Sequence, residues 1–177
     1  MAKFSSQQLS DLEEIRQLKH AYFRCIDTGN ETELASLFTE DVTIDLRGGA
    51  YRAKVSGRQN MVDFICSAFN SDIIAQHHGH CPEIAFTGAD TAEGDWYLQD
   101  MFIDPARGTN TVGTAIYHDR YVRTDDGWKI AHSEYDRVYE MVLPIDPSAK
   151  VTYHLLAKTG RKPDARIDVS PWLEWYD

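Results

Sequence analysis

Residues 115–140 have the sequence AIYHDRYVRTDDGWKIAHSEYDRVYE, in which two stretches rich in β-branched and aromatic residues flank a short polar turn. Such residues favour strands, and Asp-Gly between two such stretches is a strong hairpin signal. The pattern predicts that a strand over 112–123 turns at Asp125-Asp126-Gly127 into a strand over 128–142. Strict alternation along the second strand would place these residues on one face: Ala131, Ser133, Tyr135, Arg137, Tyr139 and Met141.

Further strands are predicted upstream of this hairpin. Residues 84–86 and 92–103 carry strand-type patterns separated by a turn near 88–90. An earlier strand is predicted over 42–46, where apolar and polar residues alternate, and it ends at the turn Gly48-Gly49.

The first third of the chain has helical spacing. Ser10, followed by Glu13 three residues later, signals a capping box, and Gly29 can end the helix in the left-handed conformation. A second helix is predicted over residues 31–38, and a third begins from Ser56. The predicted buried stripe of the first helix is Leu12, Ile15, Leu18, Tyr22 and Ile26. Helices in the first half followed by antiparallel strands in the second predict the α+β class.

Composition excludes several classes of function. The 177 residues carry a formal charge of −10 with no cluster of Lys and Arg, which disfavours binding to nucleic acids or anionic membranes. No apolar run approaches the roughly 18 residues of a membrane span, and the first residues lack the apolar core of a signal peptide. The three cysteines have no CxxC spacing, which argues against disulfides or structural zinc and favours a cytoplasmic protein.

The length suits one domain over residues 1–177. The part from 144 to 177 contains several prolines and predicts an irregular C-terminal extension. We expect this extension to pack on the body of the domain or on a neighbouring subunit.

Asp27 stands at the C-terminal end of the first helix, directly after the apolar Ile26. A carboxylate there faces the negative end of the helix dipole, which costs a few tenths to about 1 kcal/mol. A buried cationic or hydrogen-bonding partner would compensate for this cost. The alternative is a solvated aspartate that begins a turn.

The segment QHHGHCPE, residues 76–83, contains three of the seven histidines at a predicted helix-to-strand junction. Histidine serves as a base near neutral pH, and an aspartate bound to its far ring nitrogen would fix its tautomer. The alternative is that these histidines are exposed or satisfied in the core. A metal site at His78, His80 and Glu83 is disfavoured because the spacing does not match a known ligand run, so no metal is predicted.

Two other residues are poorly explained by packing alone. Arg137 falls on a face of small and aromatic residues, where it would need an anion or a substrate oxygen; an ion pair at a sheet edge is the alternative. Tyr22 lies on the apolar stripe about 7.5 Å of helical rise before Asp27, so both side chains could reach one cavity. The alternative for Tyr22 is an ordinary core tyrosine.

Three segments together carry a resemblance to a known family: QLKHAYFRCIDTGNETEL, HHGHCPEIAFTGADTAEGDWYLQD and AIYHDRYVRTDDGWKIAHSEYDRVYE. They resemble the bile-acid 7α-dehydratases and, more widely, the SnoaL-like enzymes of the nuclear-transport-factor-2-like superfamily. The resemblance runs from about residue 11 to 142. It implies a cone-shaped α+β barrel in which a curved, mostly antiparallel sheet wraps around N-terminal helices and encloses a deep apolar pocket.

The resemblance also implies site residues. The family's catalytic positions fall on Asp27, His77, Tyr22 and Arg137. Where the family has a second pocket tyrosine on the first strand, this chain has a leucine. The residues expected to line the substrate site are Leu46, His80, Trp96, Tyr117 and Tyr135, with Tyr97 as a further aromatic candidate.

The reaction implied is a cofactor-independent elimination of water from a hydroxylated steroid-like or polycyclic ketone. His77, oriented by Asp27, would take the proton, while Tyr22 and Arg137 would hydrogen-bond the developing oxyanion or assist the leaving group. The expected partner is a small apolar substrate, either free or as its coenzyme A thioester. The resemblance also suggests a homotrimer. The alternatives are an isomerase on the same pocket and a non-catalytic binding protein resembling dioxygenase small subunits.

Overall fold

The computed structural model describes residues 4–176. Its α-helices are α1 (Ser6–Thr28), α2 (Glu31–Ser36), α3 (Arg58–Ala68) and the one-turn α4 (Leu156–Thr159). Its strands are β1 (Phe38–Arg47), β2 (Tyr51–Ser56), β3 (Ile74–Phe86), β4 (Thr91–Asp104), β5 (Thr109–Thr124), β6 (Gly127–Pro144) and β7 (Leu173–Trp175). No helix among the described residues combines the length and apolar character of a membrane span.

The predicted α+β class is confirmed, and the sheet is curved but does not close into a barrel. Its strand order is β3-β4-β5-β6-β1-β2-β7, so β3 and β7 form the two edges. Neighbours pair antiparallel except β1 and β6, which are parallel. Helix α1 packs against β3 and β6, and α3 packs against β1 and β2, so the core lies on the concave face of the sheet.

The helix boundaries differ from the sequence prediction at three places. Helix α1 begins one turn earlier, because the capping box is formed by Ser5 and Gln8, and it ends as predicted at Gly29 with φ of 64°. Helix α2 ends at Ser36, since Phe38 already belongs to β1. Ser56 ends β2 instead of capping α3, whose N-cap is Gly57.

Two β-bulges change which residues of β6 face the core. Pairing with β5 skips Ala131 and later Val138, and each skipped residue shifts the alternation by one. Tyr139 and Met141 are therefore exposed on the outer face, contrary to strict alternation, and Glu140 takes the inner position. The residues of β6 that face inward are Trp128, Ile130, Ser133, Tyr135, Arg137 and Glu140.

The C-terminal extension is mostly irregular and packs on the body of the chain. Arg161 donates two hydrogen bonds to Glu31, at 2.8 and 2.7 Å, and lies 2.8 Å from Asp63. Trp172 packs edge-on against Phe64. The extension also contributes β7, a short strand that sequence analysis did not predict, which pairs with β2.

Candidate functional site

Asp27 and His77 meet on the concave side of the sheet. Asp27 Oδ1 lies 2.6 Å from His77 Nδ1, and Oδ2 accepts a hydrogen bond of 2.9 Å from the backbone N–H of His77. The side chain of His77 is 6% exposed and that of Asp27 is 24% exposed. Both oxygens of Asp27 therefore have a donor, which offsets its unfavourable place at the C-terminal end of α1.

This geometry fixes the tautomer of His77. An ionised carboxylate only accepts hydrogen bonds, so Nδ1 carries the ring hydrogen and donates it to Asp27. In the neutral ring, Nε2 then presents a lone pair. A buried imidazole held in this state can take a proton at Nε2, and the adjacent carboxylate stabilises the imidazolium that forms.

The His77 ring lies between two phenylalanines. Phe23 of α1 stacks on it with ring centroids 6.2 Å apart and an interplanar angle of 10°, and Phe69 meets it edge-on at 4.9 Å. Gly79 lies two residues along β3 and faces Phe23, and a Cβ there would overlap the Phe23 ring. A glycine at this position therefore permits the close approach of α1 to β3 that brings Asp27 to His77.

Four tyrosines continue the site across the concave face. Tyr22 lies 6.3 Å from Tyr117, Tyr117 lies 5.3 Å from Tyr135 between ring centroids, and the hydroxyls of Tyr135 and Tyr51 are 2.7 Å apart. Burial raises the pKa of each of these phenols. They are therefore neutral near pH 7 and able to donate hydrogen bonds.

Arg137 points inward and is held by two carboxylates. Its Nη1 and Nη2 donate hydrogen bonds of 2.6 and 2.7 Å to Asp100, and its Nε lies 3.1 Å from Glu140 in an ion-pair contact without hydrogen-bond geometry. Burial alone would lower the pKa of Arg137, but the hydrogen bonds to Asp100 raise it, so it stays charged. Arg137 therefore lies in the interior, where two carboxylates of the chain supply the anion, and not at an edge of the sheet, since β6 is its central strand.

Asp100 was not predicted from the sequence, although it pairs directly with His77 across β3 and β4. Alternation along β4 places it on the same face as the buried Trp96 and Leu98. That alternation was visible in the sequence and could have identified Asp100 as an inward carboxylate.

A second buried ionic group lies deeper in the core and was also not predicted. Lys19 Nζ lies 2.7 Å from Asp119 Oδ2, with both side chains fully buried, and 3.6 Å from the centroid of the Tyr117 ring. Asp119 also accepts hydrogen bonds from Tyr121 Oη and Ser133 Oγ. The sequence did carry a signal for this buried pair: Lys19 follows Ile15 by four residues and therefore lies on the apolar stripe of α1.

Of the other residues expected to line the substrate site, two are buried in the core and two are exposed on the outer face of the sheet. Leu46 is buried in register with Tyr135, and Trp96 is buried with its indole N–H donating to Tyr121, at the end of the core near Asp119. His80 and Tyr97 are exposed on the outer face, so the structure does not bring them to His77. The reason is that residues 76–80 belong to strand β3, where alternation turns His77 inward and its even-numbered neighbours outward.

A groove of about 180 Å³ opens beside Asp100 on the outer side of the sheet. It is lined by Gln76, His78, Gln99, Asp100, Met101, Val112, Gly113 and Tyr139. Within residues 4–176, no three His, Cys, Asp or Glu side chains are arranged to hold a metal ion.

Comparison with known proteins shows the family of this chain. The family model of the SnoaL-like domain matches residues 7–134, and the chain belongs to this family. Three solved structures illustrate the shared fold. Hexachlorocyclohexane dehydrochlorinase LinA-type3 from Novosphingobium barchaimii LL02 is 19% identical with a TM-score of 0.70, covering 82% of this chain and 97% of its own.

The other two structures come from Novosphingobium aromaticivorans. A candidate scytalone dehydratase is 18% identical with a TM-score of 0.71, covering 84% of this chain and 99% of its own. A candidate aromatic ring hydroxylase is 23% identical with a TM-score of 0.67, covering 77% and 94%. At sequence identities this low, the similarity to these structures shows a shared fold alone.

Proposed function

We propose that this chain is a cofactor-independent lyase that eliminates water from a hydroxylated, steroid-like or polycyclic ring ketone. The observation that carries the proposal is the Asp27–His77 pair, in which a buried imidazole is held by a carboxylate with Nε2 free to accept a proton. The structural neighbours include a hexachlorocyclohexane dehydrochlorinase and a candidate scytalone dehydratase, which accords with elimination chemistry.

The first step is proton abstraction. His77 Nε2 takes a proton from the carbon next to the carbonyl of a ketone, or from the γ carbon of an enone, and the C–H electron pair moves toward the carbonyl oxygen to form an enolate or a dienolate. Asp27 stabilises the imidazolium through Nδ1–H. A buried tyrosine hydroxyl, which is protonated near neutral pH, donates a hydrogen bond to the enolate oxygen.

The second step is loss of the leaving group. The enolate electrons form the new C=C bond as the C–O bond at the β or vinylogous position breaks. The leaving hydroxide takes a proton, which the imidazolium of His77 can return, and departs as water. No redox change occurs, so the residues of the site supply every group that the reaction needs.

The aromatic surroundings of His77 suit a flat, apolar ring system. Phe23, Phe69 and Tyr117 lie around or near the imidazole and offer large apolar surfaces. Bile-acid-like 3-oxo-steroids, to which the resemblance of the sequence points, are our proposed substrate class. The trimeric assembly and the cytoplasmic location stay predictions.

A product-mass assay tests the proposed reaction. We expect the purified chain, incubated with hydroxylated 3-oxo-steroids as free acids and as coenzyme A thioesters, to yield a product lighter by one water. Mass spectrometry of the whole panel provides the measurement. A product of unchanged mass with a shifted double bond would instead indicate an isomerase, and an unconverted panel would contradict the proposed substrate class.

A further inference from the structure

The hydroxyl groups of Tyr51 and Tyr135 form a pair that joins two strands that are not neighbours. Tyr51 lies on β2 and Tyr135 on β6, and β1 runs between them. Their oxygens are nevertheless 2.7 Å apart. Two phenols that share one hydrogen bond use only one of their two hydrogens, so the pair retains one O–H group that can donate to a ligand.

The local sequence makes room for this crossing. Gly48 follows the last residue of β1, two positions after Leu46, and a Cβ there would lie 2.6 Å from the Tyr51 ring. Leu46 pairs with Tyr135 on one side and with Ala53 on the other. Because Gly48 has no side chain, the ring of Tyr51 can lie across the end of β1 and bring its hydroxyl to Tyr135.

The pair lies beside Arg137. The guanidinium carbon is 5.3 Å from the centroid of the Tyr135 ring. Burial raises the pKa of both phenols, while the charge of Arg137 acts in the opposite direction on each. Asp100 acts in the same direction as burial on both phenols, so the hydroxyls stay protonated and can donate a hydrogen bond.

The charge of Arg137 is itself compensated. Asp100 holds it with both oxygens and Glu140 lies 3.1 Å from Nε, so two carboxylates face one guanidinium. The guanidinium is therefore already paired within the chain and is not free to bind a carboxylate or phosphate of a ligand. The polar end of the site therefore suits an uncharged oxygen, such as a ketone carbonyl.

We propose that the Tyr51–Tyr135 pair is the hydrogen-bond donor for the carbonyl oxygen of the substrate, and that the group bound there is a neutral ketone. Tyr51 is thereby a further catalytic residue on a strand from which sequence analysis assigned none. This inference rests on the proposed elimination, since it assigns the oxygen whose charge develops during proton abstraction.

Conservative variants test the donor role. We expect Tyr51→Phe and Tyr135→Phe each to lower kcat by about 10²- to 10³-fold on a 3-oxo-steroid that the wild-type chain converts, with a smaller change in KM. Because the two hydroxyls act as one unit, the double variant should lose less than the product of the two single losses. Tyr97→Phe, on the outer face, is the matched control and should keep wild-type kinetics.

A binding probe separates this inference from the proposed function. 2-Naphthol carries an aromatic oxygen that mimics the enolate oxygen, and its fluorescence reports binding without turnover. We expect Tyr51→Phe to bind it at least about tenfold more weakly than wild type, with Tyr97→Phe unchanged and circular dichroism confirming folding of each variant. If Tyr51→Phe does not fold, Tyr135→Phe carries the same test.

The outcomes can be told apart. Weaker naphthol binding by Tyr51→Phe without any elimination in the steroid panel would support the donor pair and contradict the proposed substrate class. Elimination at the wild-type rate by both single variants, with unchanged naphthol affinity, would overturn the donor pair and leave the lyase proposal standing. Tighter binding of 2-naphthoate than of 2-naphthol would overturn the preference for a neutral oxygen.

Discussion

His77→Ala is expected to lower turnover of a converted substrate by about 10²- to 10⁴-fold, the range typical of a lost general base. The substitution removes Nε2, the atom proposed to take the proton, and leaves Asp27 without its ring partner. The backbone N–H of residue 77 still reaches Asp27, so the strand register that holds the site is retained. Initial rates from the product-mass assay measure the loss.

The matched control is His78→Ala. His78 is the next residue on β3 and lies exposed on the outer face, so its removal deletes the same chemical group from the opposite side of the sheet. It should keep wild-type turnover, and both variants should unfold in one cooperative urea transition. A His77→Ala chain that turns over at the wild-type rate would contradict the assignment of the base.

Lys19→Met is expected to lower the free energy of unfolding by about 3–5 kcal/mol. The methionine fills a similar volume but leaves Asp119 charged in a core from which water is excluded. Tyr121 and Ser133 still donate to that carboxylate, but neither carries a positive charge. Urea denaturation followed by tryptophan fluorescence measures the change.

Two further variants serve as controls for the stability loss in Lys19→Met. Arg24→Met breaks an exposed ion pair with Glu33, whose side chains are 53% and 36% exposed, and should cost no more than about 1 kcal/mol. Adding Asp119→Leu to Lys19→Met removes the unpaired charge and should restore part of the lost stability. A single Lys19→Met variant as stable as Arg24→Met would show that the buried pair is not a structural requirement.

Most of the fold was predictable because local signals agreed with each other. Helical spacing, the left-handed Gly29 and the Asp125-Asp126-Gly127 turn each locate an element correctly. The errors in the strands lie where tertiary contacts decide which residues pair. The bulges at Ala131 and Val138 exchange the inner and outer faces of β6, and a short pattern of alternation cannot indicate where a strand skips a residue.

The candidate site was predictable only in part. The position of Asp27 at a helix end indicated a missing partner, but the choice of His77 among three histidines came from the resemblance to a family. Alternation along β3 separates His77 from His80 once the segment is known to be a strand. The contacts of Arg137 with Asp100 and Glu140 depend on register across three strands, and no local pattern encodes them.

The central claim, that Asp27 holds His77 as a base with Nε2 unprotonated, is tested most directly by ¹⁵N NMR of the histidine rings. At a pH where the ring is neutral, we predict a protonated Nδ1 and a pyridine-like Nε2 for His77. In Asp27→Asn, the amide oxygen can accept the backbone N–H while its NH₂ donates to Nδ1, so the hydrogen should move to Nε2. In Asp95→Asn, which alters the comparable surface pair with His118, the His77 signals should not change. A wild-type His77 protonated at Nε2, or one that does not respond to Asp27→Asn, would contradict the account.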